Sequence, residues 1–409
     1  MVTGAAPAPA DPEARRQRRP RFSRVLLVLL VWMGTCWSVI GSLLAPVVPG
    51  GWMIVVGLAV LSVLPVWVLA RGFGGRAYPG AATRLWVIRP FWYAQLFLPL
   101  LAIAGLLGAV AGWPFGMAGT VGRGVLLACG AVFVFVAVLG WVGTRRLVAK
   151  RLTATFPDLP SGLDGLRIVQ ISDTHVGPHS SRRHLERVAR MVENESPELI
   201  AVTGDLVDDF PPDVDHYAAA LGGLSAPLGV FVVPGNHDVY AGWQQVRRRL
   251  DALPVTVLVN ESQTVGRGGA RFAVVGTGDP AGAYWQREGG GSAAPDVDRA
   301  LAMVPPGTFT LALAHDPVLW PQLAQRGVHL TLSGHTHWGQ FALPALNWSI
   351  ASPFLEHSMG TYRQGDSLLY IHPGTNFWGI PFRIGALPQV AVITLRRAAS
   401  TEIKVCSRS

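Results

Sequence analysis

Hydrophobic and polar positions divide this chain into two parts with different periods. No charged side chain occurs at residues 25–70, 91–122 or 124–144. A membrane-crossing helix needs ~20 consecutive apolar residues. The first run is long enough for two helices, with a break at Pro46, Pro49, Gly50 and Gly51, and the other runs hold one each. The pattern predicts four transmembrane helices, at 25–45, 51–70, 91–112 and 124–144. A cleaved signal peptide is not expected, because the first run is too long and further spans follow. Trp86, Trp92, Tyr93, Trp113 and Trp141 fall near the expected span ends, as interfacial aromatics do. No ionisable Asp, Glu, Lys, Arg or His lies inside a span, so the bundle reads as an anchor rather than an ion pathway.

Beyond residue 165 short apolar runs alternate with amphipathic stretches. Strands are predicted at 166–171, 199–203, 230–233, 255–259, 272–276, 308–314, 330–333, 368–371 and 390–395. Helices are predicted from 181 onward, at 217–224 and at 243–250. The fold class is α/β, with layered, mixed β-sheets flanked by helices, preceded by the all-α four-helix region. Residues 1–24, rich in Ala, Pro and Arg, read as a disordered basic tail. Residues 145–165 read as a linker, 166–396 as the α/β domain and 397–409 as a C-terminal tail. The Gly-rich stretch 280–295 reads as a surface loop.

Charge adds orientation. Of the net +9, residues 1–151 hold 15 Lys/Arg against 2 Asp/Glu, whereas the remainder is net negative. The basic excess therefore flanks the membrane spans, and nucleic acid is not an expected partner. Arg15 to Arg24, the group Arg71, Arg76, Arg84 and Arg89, and the group Arg145 to Arg151 lie on one side of the predicted bundle, and the opposite loops contain only Arg123. The positive-inside rule then places both termini and the α/β domain in the cytoplasm, with the chain multi-pass in the inner cell membrane. Cys36, Cys129 and Cys406 form no disulfide framework.

Five short motifs follow predicted strands. They are Asp173-Thr-His175, Gly204-Asp205, Gly235-Asn-His-Asp238, His315-Asp316 and Gly334-His-Thr-His337. Singly they are ordinary: Asp205 could cap a helix, and Asn236 could serve a turn. As an ordered set they offer hard oxygen and imidazole nitrogen without thiolate, a mixture suited to Mn, Fe, Zn, Ni or Co. Two such ions can clamp a phosphate and generate a hydroxide between them. Asp208 and Asp316 read either as acceptors behind the ligands or as solvated carboxylates. His372 follows a strand and could approach the site. His179, His184, His216, His329 and His357 carry no motif and read as structural or exposed.

Over residues 165–395 these motifs resemble the calcineurin-like metallophosphoesterase family. The resemblance implies a metallophosphoesterase fold in which Asp173, His175 and His337 bind one metal, Asn236, His315 and His335 bind the second, and Asp205 bridges both. It implies His237 as the catalytic acid, with Asp238 orienting its imidazole. Two divalent ions are the expected cofactors, Mn favoured. Trp338-Gly-Gln340 and Pro381-Phe-Arg383 resemble the membrane-associated bacterial branch, which includes periplasmic or cell-wall phosphodiesterases and UDP-2,3-diacylglucosamine hydrolases. The chain departs from that branch at Trp338, where glycine is common, and at His372-Pro373, where Ser-Arg is more usual. The implied function is a membrane-anchored, dinuclear phosphoesterase, of phosphodiesterase type, cleaving a phosphate ester or pyrophosphate by metal-bound hydroxide. Expected partners are membrane lipids and a phosphoester substrate, lipid or nucleotide-lipid in kind. The alternatives are a soluble-nucleotide phosphodiesterase and a non-catalytic membrane sensor or scaffold. Residues 341–365 form an apolar insertion, read as a lid on the core or as a membrane-facing flap.

Overall fold

The computed structural model describes residues 12–62, 65, 80–177, 180–208, 210–285 and 290–406. The chain divides into two compact units, Met1–Ala137 and Val138–Ser409. The first is helical: α1 (Pro12–Leu44), α2 (Gly51–Leu61), α3 (Arg89–Gly112) and the greater part of α4 (Ala118–Gly143). Among the described residues three stretches, Leu27–Val47, Arg84–Phe115 and Ala118–Gly143, are long and apolar enough to cross a membrane. The second expected span is described only as the short α2 with Ser62 and Pro65; its other positions, together with Arg71 and Arg76, lie outside the described residues.

The helix α1 begins at Pro12, so residues 12–24 are helical, contrary to the expected disordered tail. A proline in the first turn has its φ already set, and Glu, Ala, Arg and Gln are good helix formers. Residues 1–11 lie outside the described residues. Cys36, Ile40 and Leu43 of α1 pack on Ala102 of α3 and Leu126 of α4. Leu107, Val132 and Phe135 stay exposed. An apolar exterior around a thin packed seam is what lipid as solvent permits.

The second unit is built from β1 (Val148–Phe156), β2 (Arg167–Ile171), β3 (Leu199–Thr203), β4 (Val230–Val233), β5 (Thr256–Val257), β6 (Glu261–Arg267), β7 (Ala270–Gly276), β8 (Phe309–Leu313), β9 (Leu330–Ser333), β10 (Ala342–Leu343), β11 (Trp348–Ser349), β12 (Gly360–Gln364), β13 (Ser367–Ile371), β14 (Gln389–Arg397) and β15 (Glu402–Val405). One sheet has the order β15-β1-β14-β2-β3-β4-β5 and the other β12-β13-β9-β8-β7-β6, with β10 and β11 a separate hairpin. The run β2-β3-β4-β5 is parallel, as are the pairings β7-β8, β8-β9 and β9-β13. Each sheet therefore gathers several strand carboxyl ends at one edge, where α/β folds place ligands.

The sheets face each other across a core in which Leu152, Ile168 and Phe231 meet Phe272, Leu311 and Leu330. Helices α5 (Arg182–Asn194), α6 (Asp213–Leu221) and α7 (Asn236–Leu250) cover the outer face of the first sheet through Val188, Tyr217 and Val246. Val297, Ala300 and Leu323 cover the second sheet at Ala273, Val275 and Ala312. The result is a layered α/β fold with helices outside two mixed sheets.

Two expected boundaries are corrected. The linker at 145–165 contains β1, which pairs in parallel with β14 along its length. Leu152, Ala154 and Phe156 turn inward while Arg151 is exposed. That period of two was masked by Lys150 and Arg151, which read as membrane-flanking charge. The C-terminal tail supplies β15, which closes the sheet edge against β1; residues 407–409 lie outside the described residues, as do His179 and positions 286–289 of the Gly-rich loop.

Candidate metal centre

Every motif emerges from a strand end. Asp173 and His175 follow β2, Asp205 follows β3, Asn236 and His237 open α7 after β4, His315 follows β8, and His335 and His337 follow β9. Three backbone bonds tie the loops together. Asp173 N–H donates to Gly204 O, His175 N–H to Asp205 O, and Gly334 N–H to His315 O.

Two donor clusters result. In one, His337 Nε2 lies 3.3 Å from Asp173 Oδ1 and 3.0 Å from His175 Nε2. In the other, Asn236 Oδ1 lies 2.8 Å from His335 Nδ1 and 3.2 Å from His315 Nε2. Asp205 Oδ2 stands between them, 3.2 Å from His315 Nε2 and 3.6 Å from His175 Nε2. The structure thus brings together all seven residues that the sequence nominated as ligands. Asp173, His175, Asp205, His315 and His337 are buried; Asn236 and His335 are half-buried.

The donors fit cations. Asp173, His175 and His337 converge as a group able to hold an ion, as do Asp173, Asp205 and His315. Two imidazole nitrogens and a carboxylate oxygen turned toward one point repel one another unless a proton or cation lies among them. Asp173 Oδ2 is buried without a hydrogen-bond partner, which an ion would supply. Asp173, His175, Asp205, His335 and His337 all have positive φ. Non-glycine residues rarely adopt that region, and such strain collects at functional sites.

Charge reinforces the arrangement. Burial would raise the Asp205 carboxyl, but His315, His237 and His175 outweigh it and hold the group well below the usual carboxylate range. Burial would lower His315, and Asp205 reverses this, raising it well above the ordinary value. His337 is held well below the imidazole range, first by burial and then by the Arg383 guanidinium.

The roles of His237 and Asp238 separate. His237 Nδ1 lies 2.7 Å from the Asp208 carbonyl oxygen, and its ring meets His175 at 4.8 Å between centroids. Asp238 does not orient this ring, contrary to expectation. Its Oδ1 accepts the N–H groups of Leu206 and Val207, and its Oδ2 accepts that of Gly235. The cause is helical geometry. Consecutive residues of a helix point about 100° apart, and an acidic side chain at the third position reaches back to the helix start. Asp238 braces the Asp205 loop from beneath, and burial, then Asp205, raise its carboxyl to about 7.

Other positions settle as follows. Asp208 Oδ1 lies 3.5 Å from His175 Nδ1 and 3.7 Å from His237 Nδ1, so it backs both rings. Asp316 caps the following turn through Val318 N–H and lies 3.8 Å from His335 Nε2. His372 is fully buried, with Nδ1 accepting from Gly374 N–H, and burial, then Arg383, lower it to about 3. It belongs to neither donor cluster. His184 Nε2 is bonded to Thr375 O, and His329 and His357 pack against aromatic rings. Sequence reasoning missed three features. Arg383 donates to His337 Nδ1 at 2.6 Å. Tyr240 and Trp378 each lie 5.6 Å from the His237 ring. Asp279, raised to about 6 chiefly by burial, lies near His315 and His335. Only Arg383 carried a signal, through its Pro-Phe-Arg motif.

Glycine is required at Gly235 and Gly334 for space. A Cβ at Gly235 would overlap Asp205 Oδ1, and one at Gly334 would overlap Ser172 Oγ and Asp173 Oδ2. Gly235→Ala is expected to cost about 1–3 kcal/mol of stability through overpacking and to displace Asp205. Thermal unfolding together with metal content measures both, and unchanged metal binding would contradict the close approach.

Comparison with known proteins agrees with this geometry. Residues 166–339 match the calcineurin-like phosphoesterase family. A transmembrane protein with metallophosphoesterase domain from Danio rerio is 33% identical over 251 residues, 59% of this chain and 55% of that one. An uncharacterized metallophosphoesterase of Helicobacter pylori is 32% identical over 266 residues, covering 64% of this chain and 69% of the relative. The Bacillus subtilis metallophosphoesterase YkuE is 30% identical over 245 residues, 58% and 82% of the two chains. The aligned part thus spans about half the length of the zebrafish protein. The chain belongs to the calcineurin-like metallophosphoesterase family. Residues 166–339 are thus its metallophosphoesterase domain.

Proposed function

We propose that this chain is a membrane-anchored phosphodiesterase that uses two divalent ions, Mn favoured, to hydrolyse a phosphate ester or pyrophosphate of a lipid or nucleotide-linked lipid. The observation that carries the reading is the place of Asp205, whose Oδ2 faces His315 at 3.2 Å and His175 at 3.6 Å. One carboxylate joining two donor clusters suits a pair of ions better than one. Asp173, His175 and His337 would hold the first, Asn236, His315 and His335 the second. Bound there, the ions would supply charge neutralisation on phosphoryl oxygens and acidify a water.

The chain's own groups do the rest. His237 Nδ1–H donates to Asp208 O, which leaves Nε2 as the ring atom that exchanges a proton with a substrate oxygen. His237 N–H donates to Asp205 Oδ1 at 2.8 Å, so the acid and the joining carboxylate move together. The apolar helices anchor the domain that carries the site, and the basic flanks favour the cytoplasmic face and an inner-membrane location. Tyr240 and Trp378 beside His237 favour a second reading, a soluble nucleotide diester whose base stacks on them.

The full chain in detergent, stripped by chelator, is expected to lose hydrolysis of bis(p-nitrophenyl) phosphate and to regain it with manganese, at about two ions per chain. No turnover with any divalent metal would overturn the reading. Higher kcat/KM on micellar than on soluble diesters is expected for a lipid substrate; the reverse order selects the nucleotide.

A further inference from the structure

The apolar insertion resolves into a packed base and an uncovered tip. At its base Trp338, Ala342 and Met359 are buried against Trp320, Leu369 and Ile371. At its tip Leu346 is 72% exposed and Phe354 82%, with Trp348, Ile350, Leu355 and the neighbouring Trp378 also exposed. No charged residue occurs between Phe341 and Leu355. Among the described residues past Gly143, more than half of the exposed large apolar side chains lie here. Soluble surfaces rarely expose such a patch without a partner.

Hydrogen bonds locate the patch. Ala342 N–H donates to Ile384 O at 2.8 Å, and Ile384 N–H to Gln340 O at 3.0 Å. Gln340 Nε2 donates to Trp378 O, and its Oε1 accepts Trp378 N–H. The insertion is thus strapped to the segment 378–384. That segment in turn holds the last turn of α4: Arg383 N–H donates to Gly140 O at 2.9 Å, and a Cβ at Gly140 would overlap the Phe382 ring. All these residues belong to the second unit. The same helix end carries Trp141, with the Arg145 guanidinium 3.6 Å from its ring centroid. A tryptophan beside arginine at the end of an apolar helix marks the headgroup level.

We propose that the insertion tip, residues 343–355 together with Trp378, is a membrane-docking surface that seats in the headgroup layer of the bilayer crossed by α4. A charge-free tip loses no ion hydration on entering that layer, and tryptophan and phenylalanine are suited to it. The strap to α4 sets its depth. The docking of residues 343–355 goes beyond the proposed reaction and holds whichever phosphoester the metal centre cleaves; the part of Trp378 in it rests on the lipid-substrate reading.

The test uses the full chain in nanodiscs of phosphatidylethanolamine and phosphatidylglycerol. In a background of Cys36→Ala, Cys129→Ala and Cys406→Ser, a polarity-sensitive fluorophore is attached at Phe354→Cys, and at Met303→Cys as an exposed comparison site. Quenching by doxyl-labelled lipid is expected to be at least about threefold stronger at 354 than at 303, with iodide quenching weaker by a similar factor. Equal quenching at the two positions overturns the proposal. So does protection from iodide without quenching by lipid, which would mean that a second copy or another protein covers the patch. Leu346→Cys supplies an independent probe site should Phe354→Cys fail to fold.

Discussion

Asp205→Asn is expected to lower kcat on bis(p-nitrophenyl) phosphate by about a thousandfold, roughly 4 kcal/mol of barrier, while the domain stays folded. The substitution is chosen for its shape. An asparagine oxygen can still accept His237 N–H, the bond that Asp205 Oδ1 makes at 2.8 Å. The other carboxylate oxygen becomes an amide nitrogen facing His315 and His175, where Oδ2 now sits at 3.2 and 3.6 Å. A donor replaces an anion at the one atom shared by both clusters. Metal content is therefore expected to fall with activity, toward one ion or none, whereas circular dichroism should match the parent chain. Activity within tenfold of the parent, with both ions retained, would remove Asp205 from its proposed place and with it the dinuclear reading.

The candidate donors were legible in the sequence because their signal is local. Each donor sits within a few residues of a strand end, and a short buried strand followed by Gly-Asp or Asp-x-His can be read without knowing its neighbours. The parallel pairing that aligns β2, β3 and β4 then brings distant motifs to one edge. What was lost depends on geometry that adjacency misrepresents. Asp238 follows His237 in sequence, and the turn of α7 sends it to Leu206 and Val207 instead. Asp208, 29 residues before His237, holds that imidazole through its carbonyl. Strand β1 was hidden because Lys150 and Arg151 lie just past an apolar helix and read as its basic flank, although they sit in the sheet. The split of the apolar insertion into buried base and exposed tip turns on the β10–β11 hairpin, whose two-residue strands are too short to leave a period.

Arg383→Met is expected to weaken metal binding at the cluster of Asp173, His175 and His337 by about 10- to 100-fold, the range for losing a group that orients a ligand. Arg383 is fully buried. Its Nη1 donates to His337 O at 3.0 Å, and also to Pro373 O and Ala386 O; its Nη2 donates to Asn376 O and to His337 Nδ1. Its partners are carbonyls and one imidazole, so it is a positioning residue acting through His337. Burial, with Asp173 opposing, lowers the guanidinium to about 9. An arginine only donates. Nδ1 of His337 is therefore the acceptor in that contact. Burial and Arg383 together keep the imidazole from acquiring a second proton, the condition metal binding needs. Without Arg383 the deficit should widen as pH falls, because protons then compete better for the ring. Arg383→Lys keeps the charge and loses the planar fork. It should preserve the pH dependence of binding while restoring only part of the affinity. Titration calorimetry with manganese at several pH values distinguishes this from a packing role, which would lower affinity equally at every pH and gain nothing from lysine.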